Sequence, residues 1–198
     1  MGRGWCFDDL EEATGISEEV HRVFFHQFIL FGDSFLYSRF VNYPKNAEQA
    51  STHMKEFKIA GMNGGVGSMD ACHVMMEKCS HRLKQNHLGG KSKQTCRSFN
   101  LTANHRREIL HSTCGHPSRW NDKTIVLMDE LATQMRKGKV MMDNIFELMD
   151  YDDNGEICSV KYRGVWLLVD NGYLNWSTNI PPMKKTMFYK EIRWSEWL

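Results

Sequence analysis

Apolar positions along this chain change their period several times, and each change marks an expected element. Ser17-Glu-Glu-Val places a capping residue and two acids ahead of Val20, Phe24, Phe28 and Phe31, which fall on one helical face, so the pattern predicts a helix from Ser17 reaching Arg39. Its aromatics Phe24, Phe25 and Phe28 read as core, or as a face left for a missing partner. Pro44 and Asn46 punctuate the start of a second helix, expected over Ala47 to Phe57. Gly61-Met-Asn-Gly-Gly-Val-Gly67 has neither the GxGxxG order nor the GKS/T ending of a phosphate loop, so it reads as a turn leading into a strand over Val66 to Met75. Thr95 to Asn104 and Arg107 to Thr113 are two further strands joined through the short turn Asn104-His-Arg. A helix is expected from Asp122 to Arg136, capped by Asn121 or Asp122. Arg163 to Val169 is nearly all apolar and ends in Asp170-Asn-Gly-Tyr, as a buried central strand does. Strand, strand, strand, helix, strand describes a mixed α/β domain, here preceded by a helical extension over residues 1–60.

Composition agrees with that picture. With 198 residues, 41% apolar and 25% charged, the chain can bury a core of its own. The apolar run Val23 to Phe31 is interrupted by His26 and Gln27 and falls far short of the ~20 residues a membrane span needs. No basic stretch followed by an apolar one opens the sequence, so no secretory signal is expected. The six cysteines form no CxxC pair, and reduced thiols are the expected state.

A formal net charge of +1 conceals a split. Lys78 to Arg107 carries eight Lys or Arg and no Asp or Glu, which leaves the rest of the chain acidic. Such a segment is either a track for a phosphate backbone or a solvated loop. Two other clusters resemble ion sites. Asp150-Tyr-Asp-Asp-Asn-Gly-Glu-Ile157 matches the first half of a calcium loop, but Lys161 stands where the bidentate carboxylate belongs, so the segment reads as an acidic turn between strands. Cys72, His73, Cys79 and His81 match no common zinc spacing, and the two cysteines read as small buried hydrophobes.

Asp70 lies in a strand just after a glycine turn, and Asp170 ends a second apolar strand. Carboxylates on adjacent strand ends, joined by a third from a helix, are how nucleic-acid-cutting enzymes hold two divalent ions; the same residues also suit a strand-end turn and a cap.

Around these residues the sequence resembles a known family. Gly67-Ser-Met-Asp-Ala-Cys-His73, Glu77-Lys-Cys79, Asn100-Leu-Thr-Ala-Asn-His-Arg-Arg107, Gly115-His-Pro-Ser-Arg-Trp-Asn-Asp-Lys-Thr124, Trp166-Leu-Leu-Val-Asp-Asn-Gly-Tyr-Leu-Asn-Trp176 and Trp194-Ser-Glu-Trp-Leu198 are similar, in order, to PIF/Harbinger-type transposases of the plant transposon protein subgroup. The resemblance implies an RNase H-like mixed sheet with flanking helices over residues 61–198, and a DDE endonuclease that cuts DNA with Mg²⁺ or Mn²⁺. By that likeness Asp70 is the first metal-binding acid and Asp170 the second. The third, a Glu in a Val-Glu-x-x-Phe-Gly helix, lies in the family beyond the segment matched by Trp194 to Leu198, and Glu196 matches a different position. The expectation is therefore a domain incomplete at its C-terminus, with impaired cleavage or with only a DNA- or protein-binding role. The likeness further implies transposon-end DNA as partner, with Lys91, Lys93, Arg97, Arg106 and Arg107 along its backbone, a DNA-binding companion protein, and a nuclear location.

Overall fold

A computed structural model describes residues 5–90 and 93–182. The chain divides into two compact units, Met1–Asn42 and Tyr43–Leu198. In the first, α1 (Phe7–Thr14) ends at Gly15, whose φ of 71° suits a residue without a side chain, and the chain turns into α2 (Glu18–Phe31). Phe7 packs on Phe25 with ring centroids 5.7 Å apart, and Thr14 bonds His21 at 2.9 Å. The helix expected to reach Arg39 does continue, through a π-helical turn (Gly32–Tyr37) into α3 (Ser38–Phe40). No residue of α2 is buried, so Phe24 and Phe28 are not core.

The second unit opens with α4 (Ala47–Ile59), where the Asn46 side chain accepts from the backbone N–H of Gln49. This helix buries Ala50 and Phe57 and contributes them to the core beneath the sheet, so the division between units falls after Asn42 and not at residue 60. Then come β1 (Gly65–Met75), α5 (His81–His87), β2 (Cys96–Ala103), β3 (Ile109–Ser112), β4 (His116–Pro117), α6 (Asp122–Leu127) and α7 (Glu130–Arg136). The order closes with β5 (Ile145–Tyr151), β6 (Ile157–Arg163), β7 (Trp166–Val169) and β8 (Asn179–Ile180). The architecture is mixed α/β with a mixed sheet. Its main sheet runs β3-β2-β1-β7-β8, with β4 added alongside β2; β1, β2 and β3 are antiparallel neighbours, whereas β7 and β8 run parallel to β1.

Two elements differ from their sequence reading. The helix expected over 122–136 is broken because Asp129, fully buried, caps α7 by accepting from the Ala132 N–H at 2.8 Å. The strand expected over 163–169 is cut at Gly164, whose φ of 104° turns the chain out of the β5–β6 hairpin and into β7. The core joins β1 and β7 (Val66, Met69, Leu167, Val169) to α6 and α7 (Val126, Leu131, Ala132, Met135) and to Tyr173. Among the described residues no helix is long and apolar enough to cross a membrane.

Candidate active site

Asp70 owes its position to two neighbouring strands. β1 and β7 pair in parallel up to Met69 and Val169, both buried, and the next residues are Asp70 and Asp170, both exposed. Alternation along β1 turns Asp70 to the face opposite Met69, while Asp170 stands just past the end of β7 on the neighbouring chain, ~4.8 Å away. Asp70 Oδ1 accepts from the Ala71 N–H at 2.7 Å, and Asp170 Oδ1 from the Gly172 N–H at 2.8 Å. A third carboxylate arrives from α6. Asn121 caps that helix through the N–H and hydroxyl of Thr124, both at 2.9 Å, and Asp122 follows directly. A Cβ placed on Gly172 would collide with Asp122 Oδ2 and would lie 2.9 Å from Asp170 Oδ1, so those two oxygens are neighbours and only glycine leaves them room.

A buried polar network lies below. The Tyr173 hydroxyl donates to Asn100 Oδ1 at 2.6 Å, and Asn100 Nδ2 donates to Asp129 Oδ2 at 2.7 Å. His111 Nε2 lies 3.5 Å from Asp129 Oδ1, an ion pair whenever that imidazole is protonated. Burial, and then the charges of Asp70, Asp122, Asp170 and Asp129, push the Tyr173 phenol far above its ordinary range. The phenol therefore stays protonated as a donor. It ties the loop after Asp170 to β2.

The expected DNA contacts are divided by the sheet. Arg97 on β2 pairs with Val74, four residues beyond Asp70 toward the C-terminal end of β1, and Lys93 precedes β2 with a left-handed φ of 53°. Arg106 and Arg107 form the β2–β3 turn at the opposite end of β1, where Arg106 is paired with Glu56 of α4 at 2.5 Å. Lys91 and Glu196 lie outside the described residues.

Neither apparent ion cluster forms a site. Asp152 Oδ1 accepts from the N–H groups of Asn154 and Glu156, and Asp150 accepts from the Tyr162 hydroxyl, so the acidic segment is the turn of the β5–β6 hairpin. His73 bonds Ser98, and Cys72 and Cys79 are exposed and half-buried rather than core. Cys6, Asp8 and Asp9 do have donor atoms within 4.8 Å of one another at the start of α1. There the hydrogen bond to Asp8, with that to Asp9, pushes the Cys6 thiol up to about 11, which keeps it protonated and a poor ligand.

Sequence reasoning passed over Asp122, treating it as part of a cap, and over Asn100 and Asp129. A signal existed for the last two: each is a polar residue where strand or helix periodicity asks for an apolar one.

The family described as plant transposon protein matches residues 38–192, a span that includes Asp70, Asp122 and Asp170. No curated protein and no solved structure matches the chain.

Proposed function

The chain belongs to the plant transposon protein family, which makes it transposon-derived, and on that footing we propose that it carries the DDE endonuclease core of a PIF/Harbinger-type transposase. The observation that supports the reading most is the placement of Asp70, within β1, and Asp170, just after β7, one residue past the last paired positions of these two parallel central strands. The sheet order, three antiparallel strands followed by two parallel to the first, also suits an RNase H-like fold.

By chemical type the donors fit the expected ion, although among the described residues the oxygens of Asp70, Asp122 and Asp170 do not all lie within 4.8 Å of one another. Asp70 and Asp170 offer hard carboxylate oxygens from neighbouring central strands, with Asp122 beside Asp170, and neither thiol nor imidazole is among these three, which favours Mg²⁺ or Mn²⁺ over softer metals. Such an ion, when bound, supplies the charge that polarises a phosphodiester and lowers the pKa of water. The chain's own residues do the rest. Asp70 and Asp170 would hold such an ion through their carboxylates. Tyr173 and Asn100 fix the loop that carries Asp170. Arg97 and Lys93 supply positive charge toward the C-terminal end of β1 for the DNA backbone. Action on transposon ends in chromosomal DNA places the protein in the nucleus, with a companion protein contributing DNA recognition.

Nicking of supercoiled plasmid tests the reading. With Mn²⁺ or Mg²⁺ the chain, without the family's third acid, should nick weakly at most, and Asp70→Asn or Asp170→Asn should abolish whatever nicking there is while leaving DNA binding in place. Nicking that survives both substitutions would refute the assignment. Salt-dependent DNA binding without any metal-dependent nicking would instead support a non-catalytic DNA-binding role.

A further inference from the structure

A cleft of about 220 Å³ has Asp122, the neighbour of Asp170, among its lining residues. Its other walls include His73, which alternation along β1 sets on the face opposite Asp70, together with Gly89, Gly90, Arg119 and Trp120. Trp120 is half-buried and backed by His116, whose ring stacks on it with centroids 5.3 Å apart and planes 23° from parallel. Burial lowers the pKa of that imidazole, so at neutral pH it supports the indole as an uncharged ring. Arg119 is exposed next to it, with its backbone N–H held by the Asn86 carbonyl at 3.3 Å. Gly90, also lining the cleft, has open space where a Cβ would stand.

A rigid aromatic ring with a guanidinium alongside matches the two faces of a nucleotide, base and phosphate. The volume suits one nucleobase with part of its sugar, not a base pair. Duplex DNA hides the faces of its bases, so only an unpaired nucleotide can use such a ring. We propose that this cleft holds one unpaired nucleotide beside the strand to be cut, its base stacked on Trp120 and its phosphate on Arg119. The inference rests on the endonuclease reading for where the DNA lies, but binding itself needs no cleavage.

The test uses the full chain without divalent metal. A labelled oligo-dT and a duplex of equal length are compared by fluorescence anisotropy at one salt concentration. A second probe carries 2-aminopurine in an unpaired flap. Trp120→Ala should weaken oligo-dT binding about 10-fold, within the span of one lost base–aromatic stack, and change duplex binding less than about 2-fold. Trp120→Phe should restore most of the loss, Arg119→Ala should weaken oligo-dT binding a few-fold, and 2-aminopurine emission should be quenched by the wild type but not by Trp120→Ala. Equal effects on single strand and duplex, or unquenched 2-aminopurine with the wild type, would overturn the proposal. If Trp120→Ala fails to fold, Trp120→Phe and Arg119→Ala decide, since unaltered oligo-dT binding in Arg119→Ala and no quenching in the folded Trp120→Phe would also overturn it. Quenching without plasmid nicking would keep this subsite and remove the endonuclease reading; nicking without quenching would do the reverse.

Discussion

Asp170 and Asp152 are built alike and surrounded differently. Each bends a carboxylate oxygen onto the backbone N–H two residues ahead, Gly172 at 2.8 Å and Asn154 at 2.9 Å. Asp152 sits at the tip of a two-stranded ribbon, where the same oxygen also takes the Glu156 N–H and the hairpin packs little around it. Asp170 ends a strand inside a six-stranded sheet, with Asp70 on the neighbouring strand, Asp122 arriving from α6 and a buried network under it. An aspartate-rich turn satisfies itself; a site needs carboxylates from separate elements brought together at like-charge cost, and the core must hold them there.

That comparison can be broken at the support under Asp170. Asp129→Ala removes the α7 cap and leaves Asn100 Nδ2 without its acceptor, both buried, so urea unfolding should show a loss of about 2–4 kcal/mol. Gly172→Ala forces a methyl between Asp122 and Asp170 and should lose about 1–3 kcal/mol by the same measurement, along with any affinity for Mn²⁺. Tyr173→Phe strands Asn100 Oδ1 and should lose about 1 kcal/mol at neutral pH. Its pH dependence sharpens the point. Because the folded phenol titrates above its ordinary 10.0, its contribution is fully present below that pH and is lost as the pH climbs towards the folded value. Tyr173→Phe should therefore flatten the fall in unfolding midpoint above pH 10, which urea titrations at several alkaline pH values would reveal. The smallest effect belongs to the hairpin: Asp152→Asn should leave the melting temperature unchanged, and added Ca²⁺ should not shift it.

Much of the main sheet was legible because its strands alternate or run apolar. Val66 to Met75 and the Asn104 turn were read within a residue or two of β1 and the β2–β3 connection. The acidic segment reads correctly as a turn between strands, but the bounds of β5 and β6 and their separate sheet are not legible, since Ile145, Met149, Tyr151 and Ile157 stay exposed and mark no core. The break between α6 and α7 was hidden because periodicity continues across Met128 and Asp129, and only tertiary burial makes Asp129 a cap. Asp70 and Asp170 stand out as strand-borne carboxylates, whereas Asp122 differs in sequence from no other first-turn acid. Its nearness to Asp170 comes from how α6 meets the end of β7, a long-range fact that local pattern does not encode.

The central claim is that Asp70 and Asp170 form one divalent-metal site and that the acidic hairpin turn does not. Mn²⁺ binding, followed by electron paramagnetic resonance of the free ion, measures this without requiring cleavage. Asp70→Asn and Asp170→Asn should each weaken binding at least ~10-fold, as loss of a charged ligand implies, while Asp150→Asn and Asp152→Asn leave it unchanged. Binding that survives Asp70→Asn and Asp170→Asn, or that disappears with Asp152→Asn, would contradict the account.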